Sequence, residues 1–116
     1  MGIKIVKAPI SQKELADMAK GQFGNLVKAV VDVGQEIMAV GGEMHADEEI
    51  VLMEQEGSKR EDTWGINLYP EKSSDDWIEF DSVINLKPSF GNRSRNVDNP
   101  EIQGKIRNTV KKLILS

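Results

Sequence analysis

The chain has 116 residues, 39% of them hydrophobic and 29% charged, with a formal net charge of −4; this composition is ordinary for a globular protein and too apolar for a disordered one. Having no cysteine excludes disulfides, thiolate metal sites and cysteine nucleophiles. No stretch approaches the roughly 18 apolar residues of a membrane span, and Gly2-Ile3-Lys4-Ile5-Val6-Lys7 is no secretory signal, so a cytoplasmic protein without a membrane partner is expected.

The length suits one domain spanning residues 1–116. Charge is uneven along it: residues 1–86 carry −9, and the part from Lys87 onward carries +5. The basic end can meet an anionic ligand or the acidic remainder of the protein.

Ile3–Val6 reads as a short first strand. Ser11-Gln12-Lys13-Glu14 is a capping box, with Ile10 placed to staple onto Leu15. A helix follows to about Lys20, turning Leu15, Met18 and Ala19 inward and ending at Gly21 and Gly24. Leu26–Val33 and Glu36–Val40 are rich in β-branched residues and flank Gly34-Gln35, which suits a two-residue type II′ hairpin. That register sets Val31 opposite Met38 and Ala29 opposite Val40. The other face carries Leu26, Val30, Ile37 and Ala39, interrupted by Lys28 and Asp32, so a central pair covered on both sides is expected.

Asp47, Glu48 and Glu49 ahead of Ile50–Met53, with Gly57 as a stop, predict a second helix, since carboxylates favour a first turn. Trp64–Tyr69 and Trp77–Leu86 read as two further strands around a polar turn, the second alternating Ile78, Phe80, Ile84 and Leu86 with mostly polar residues. Asp98-Asn99-Pro100-Glu101 opens a last helix, and Ile102, Ile106, Val110, Leu113 and Ile114 form its buried stripe. The sum is an α+β domain in the order β-α-β-β-α-β-β-α. It has a mostly antiparallel sheet of four to five strands and two or three helices, the first and last on one face.

Three groups of residues can carry chemistry. His45, the only histidine, lies among Glu43, Asp47, Glu48 and Glu49, where negative charge favours imidazolium; it is a candidate acid or base with Asp47, Glu79 or Asp81 as partner. Glu79 and Asp81 share a strand face with Asn85, and Asn67 can join them from the neighbouring strand. Gly91-Asn92-Arg93-Ser94-Arg95 combines a flexible backbone with two guanidinium forks, an amide and a hydroxyl, all suited to phosphate or carboxylate oxygens. It is not a P-loop. Trp64, Tyr69, Trp77 and Phe90 are read mainly as core or strand-end anchors, and the net acidic charge disfavours nucleic acid. No metal site and no cofactor are expected, because with one histidine and no cysteine a zinc site would need carboxylates for most of its ligands.

Gly41-Gly42-Glu43-Met44-His45-Ala46-Asp47, Gly57-Ser58, Asp62-Thr63-Trp64-Gly65-Ile66-Asn67, Ile84-Asn85-Leu86-Lys87-Pro88, Gly91-Asn92-Arg93-Ser94 and Asp98 occur in one order. Together they resemble a family of short prokaryotic proteins catalogued as a domain of unknown function (number 5674). Where its members often read Ile-Arg-Pro, this chain has Leu86-Lys87-Pro88. The resemblance implies a small single-domain protein and carries no catalytic residue with it.

From the residues themselves, the leading expectation is a binding or regulatory module for an anionic, phosphate-bearing ligand or nucleic acid held by Gly91, Asn92, Arg93, Ser94 and Arg95. The alternatives are a small enzyme using His45 with nearby carboxylates, and a homodimeric interaction protein.

Overall fold

Two apolar clusters, one on each side of a five-stranded antiparallel sheet, hold the structure together. The computed structural model describes residues 2–116, apart from the side chains of Ser74 and Asp75. Strands β1 (Lys4–Val6), β3 (Val27–Asp32), β4 (Ile37–Val40), β5 (Thr63–Leu68) and β6 (Ile78–Glu79) form the sheet in the order β1-β4-β3-β5-β6. The helices are α1 (Gln12–Gly21), α2 (His45–Glu56) and α3 (Pro100–Leu113). A parallel pair of two-residue strands, β2 (Ile10–Ser11) and β7 (Ile114–Leu115), joins the entry to α1 with the exit of α3. The architecture is the expected α+β class, with one short strand more at each end of the helical layer.

The helix ends follow their sequence signals. Ser11 Oγ accepts the Glu14 N–H at 3.0 Å. Glu14 does not reach back to complete the box, because its carboxylate takes the Lys4 ammonium at 3.1 Å. Asn99 caps α3 through the Glu101 N–H, with Pro100 in the first turn, where its missing N–H costs nothing. Gly57 ends α2 in the left-handed region at φ 68°.

Strand alternation then decides which side each residue serves. Ala29, Val31, Met38, Val40, Trp64, Ile66 and Leu68 point to one face, where Leu15 and Ala19 of α1 and Ile106, Val110 and Leu113 of α3 complete the larger cluster. Val30, Ile37 and Ala39 point to the other, under Leu52 of α2 and Ile84.

Two local expectations are corrected. The β3–β4 register is as expected, Val31 opposite Met38 and Ala29 opposite Val40, but the connection is not a two-residue type II′ turn. Pairing stops at Asp32 and Ile37, the Glu36 N–H bonds back to Asp32 O at 2.9 Å, and Glu36 adopts φ 58°. Asp32 Oδ1 accepts the N–H groups of Gly34 and Gln35, so this carboxylate organises the turn as an Asx motif does. A side chain at Gly34 would meet Asp62 Oδ2 at 2.7 Å.

Trp77–Leu86 is not one strand. Only Ile78 and Glu79 pair with β5, and Val83–Asn85 forms a single 3₁₀ turn. After Asp81 the chain leaves the edge of β5 and crosses over its face at Gly65, where a Cβ would lie 2.6 Å from Ser82 Oγ. Asn85 replaces the lost ladder: its Oδ1 accepts the Gly65 N–H at 2.8 Å and its Nδ2 donates to Gly65 O at 2.9 Å. One amide side chain thus makes the pair of bonds that a strand residue would have made. The apolar residues of this segment accordingly divide, Ile78 joining the first cluster and Ile84 the second.

Candidate functional site

Where β3 and β5 run past the cover of α2, Lys28 pairs with Asn67, and Asn67 with Glu79, in one cross-strand row. His45, the first residue of α2, lies over this row, and its Nε2–H donates to Ile66 O at 2.8 Å. That bond fixes the helix start to β5 and leaves Nδ1 as the basic nitrogen of the neutral ring. Lys28, His45, Ala46, Asn67, Asp81 and Arg95 line a cleft of about 330 Å³, with Met44, Val83 and Ile84 at its apolar margin.

The electrostatics differ from the expectation of a histidine bathed in negative charge. Burial, together with the Lys28 ammonium, holds the His45 pKa below its ordinary value of 6.5; the bond to Ile66 O, the Asn67 side chain and Asp81 push the other way without prevailing. The imidazole is therefore neutral at pH 7. Asp81 is engaged, its Oδ1 accepting Arg95 Nε at 2.7 Å. Asn67 is only 8% exposed. Its Nδ2 donates to Glu79 Oε1 at 2.9 Å and to Asp81 O at 3.3 Å, which fixes the direction of the amide, while Oδ1 is sheltered without a partner among the described residues. The start of α2 adds positive potential, since Met44 supplies no capping side chain and the first N–H groups of a helix have no partner within it.

Of the residues singled out from the sequence, His45, Asp81 and Arg95 meet in this cleft. Glu79 stands behind it, accepting bonds from Asn67 and from the Tyr69 hydroxyl at 3.1 Å. Asp47 is exposed and does not line it, nor do Gly91, Asn92, Arg93 or Ser94. The loop polar groups serve the fold instead. Buried Asn92 donates to the carbonyls of Asn85, Ser94 and Asn96 and accepts the Asp98 N–H, and Ser94 Oγ donates to Asp98 Oδ1 at 2.6 Å. Gly91 takes φ 84° to end a 3₁₀ turn. The Arg93 side chain is exposed.

Lys28 is the participant that sequence reading passed over; a lysine interrupting a buried apolar strand was its signal. Among the ionisable groups buried outside the cleft, two are moved far from their ordinary pKa. Lys87, 2% exposed, donates to the carbonyl oxygens of Arg60 and Thr63 and lies 3.9 Å from the centre of the Trp64 ring. Burial lowers its pKa to about 8, aided by the Arg60 charge. Glu48, fully buried, accepts the Gly42 N–H at 2.9 Å, and burial raises its pKa to about 9. A larger cleft, about 440 Å³, is lined by Lys72, Trp77, Arg107 and Lys111; it contains none of the residues expected to carry chemistry, and Lys72 and Arg107 lie over the rings of Tyr69 and Phe80. Among the described residues no three His, Asp or Glu side chains are grouped as metal ligands would be, and no helix is long and apolar enough to cross a membrane.

A family model described as a protein of unknown function, DUF5674, matches residues 4–113. The chain belongs to the DUF5674 family. Neither the curated proteins nor the solved structures contain a match to it. The family match spans the whole cleft of this DUF5674 protein, and the position where the resemblance led to Ile-Arg-Pro is here the buried Lys87, which ties the 3₁₀ turn to the start of β5.

Proposed function

We propose that this DUF5674 protein is a binding module for a small anionic ligand, held in the cleft between the start of α2 and the Lys28–Asn67 row. One observation carries the reading: Lys28 from β3, Arg95 from the loop before α3 and the uncapped start of α2 reach one cleft from three separate parts of the chain. Carboxylate and phosphate oxygens suit such a set, since guanidinium, ammonium and a helix start each favour negative charge. The remaining carboxylate there, Asp81, has its charge met by Arg95. This moves the expected anion site from the Gly91–Arg95 loop to the cleft, with Arg95 common to both.

The test is a thermal-shift screen of inorganic phosphate, sulfate, dicarboxylates and mononucleotides at matched ionic strength, on wild type and a Lys28→Gln/Arg95→Gln variant. A ligand at about 100 times its dissociation constant should raise stability by roughly 2.7 kcal/mol, on the order of 10 °C for a domain this size. Equal shifts in both proteins would overturn the reading.

A second reading, acid–base catalysis, is favoured by a neutral imidazole and a carboxylate, His45 and Asp81, lining the same cleft. Its test is turnover of activated esters and phosphomonoesters, and activity surviving unchanged in His45→Ala would refute it.

A further inference from the structure

We propose that anion uptake in the cleft is coupled to proton uptake by His45, so that the ligand and one proton from solvent enter together. The inference rests on the proposed anion binding and names how that binding is regulated.

The geometry leaves a proton missing. The Nε2–H of His45 is committed to Ile66 O at 2.8 Å, so a proton added to the ring goes to Nδ1. The Asn67 side chain is near enough to the ring to favour its charged form, and its nitrogen is not free to turn toward it, because Nδ2 already donates to Glu79 Oε1 and Asp81 O. What Asn67 offers is Oδ1, a buried acceptor with no donor among the described residues. A buried acceptor in this condition costs free energy until a donor reaches it, and imidazolium supplies one more N–H than the neutral ring.

The charges around the ring, with its burial, explain why it stays neutral. Lys28 faces it from β3 and opposes protonation, whereas Asp81 favours it but is paired with Arg95 at 2.7 Å. Arg95 lines the cleft as well, its charge offset by that pairing. Glu79 acts only through the Asn67 amide. On α2 itself, Asp47 is exposed, and Glu48 is held uncharged by burial. An anion seated beside Lys28 neutralises the charge that disfavours imidazolium and adds attraction of its own. By linkage, whatever raises the proton affinity of the ring in the complex also raises anion affinity as pH falls, by at most about tenfold per pH unit for one proton.

Because His45 is the only histidine, its ring proton resonances report the titration without assignment. Sulfate is the probe, since it does not titrate near neutrality and any proton taken up belongs to the protein. With saturating sulfate the His45 midpoint should rise, sulfate should bind several-fold more tightly at about pH 6 than at about pH 8, and calorimetry in two buffers of different ionisation enthalpy should register proton uptake. His45→Gln should bind sulfate with affinity independent of pH. Sulfate binding to wild type with an unmoved midpoint and flat pH dependence would overturn the coupling and leave the anion-binding reading standing. Absence of binding by sulfate, phosphate and dicarboxylates alike would overturn both. The wild-type titration decides the matter even if the variant fails to fold.

Discussion

Replacing Glu48 with glutamine should abolish a fall in stability that the wild type suffers between mild acid and neutral pH. The Glu48 carboxyl is fully buried in the first turn of α2, and its pKa rises from 4.5 to about 9 because burial penalises the charged form; the Gly42 N–H and Lys28 only partly offset this. Between those values the folded protein keeps the proton and the unfolded chain does not. The unfolded state therefore binds fewer protons, and stability falls as pH rises from 4.5 toward 9. One pKa unit corresponds to about 1.4 kcal/mol, so by pH 7 this one group lowers stability by about 3 kcal/mol relative to its value near pH 4. Glutamine keeps the shape and an oxygen to accept the Gly42 N–H, but its amide carries two N–H donors where the acid carries one hydroxyl. That difference is a constant offset, whereas the pH-dependent term disappears. Urea unfolding of both proteins across about pH 4 to pH 8 should show the wild type losing about 3 kcal/mol relative to the variant between the acid and the neutral end. A difference between the two that is the same at every pH would refute the reasoning, since it would mean that Glu48 does not change protonation on unfolding.

Two further predictions concern the crossing over β5. Gly65→Ala should destabilise by about 1–3 kcal/mol, because the added Cβ would lie 2.6 Å from Ser82; chemical denaturation checks this, and pairing it with Ser82→Gly should recover part of the loss. Asn85→Ala removes bonds to Gly65 N, Gly65 O and Arg95 O and strands two buried backbone groups of β5, a cost of about 2–4 kcal/mol. Hydrogen exchange should show the Gly65 amide losing protection ahead of its strand neighbours.

How far the sequence carried can be judged residue by residue. Ser11, Gly57 and Asn99-Pro100 announced helix ends because capping is local chemistry, settled within four residues of chain. The β3–β4 register was legible because one slip would invert every side chain between core and solvent, and the burial of both faces was legible from their composition. By contrast, Trp77–Leu86 alternates like a strand and is one for two residues only. Its fate depends on Gly65, which is remote in sequence and leaves room for Ser82 to cross, and on Asn85, whose amide can take the place of a strand backbone.

The site divides the same way. His45, Asp81 and Arg95 were visible as residue types able to do chemistry, but which of them meet is a matter of distance in space. Asn92 and Ser94 looked like ligand donors and are occupied by the turn they build, since a loop that must satisfy its own buried backbone uses its nearest polar groups first. Lys28 looked like an interruption in an apolar strand, and tertiary pairing set it opposite Asn67. The sequence by itself determined the α+β class, the capped helix ends at Ser11, Gly57 and Asn99 and the two-sided sheet, because periodicity and caps act over neighbouring residues; it carried Ile114 into the last helix, whereas that residue starts β7. Only the tertiary structure decided the protonation of His45, Glu48 and Lys87 and the membership of the cleft, because burial and charge proximity are properties of the packed molecule.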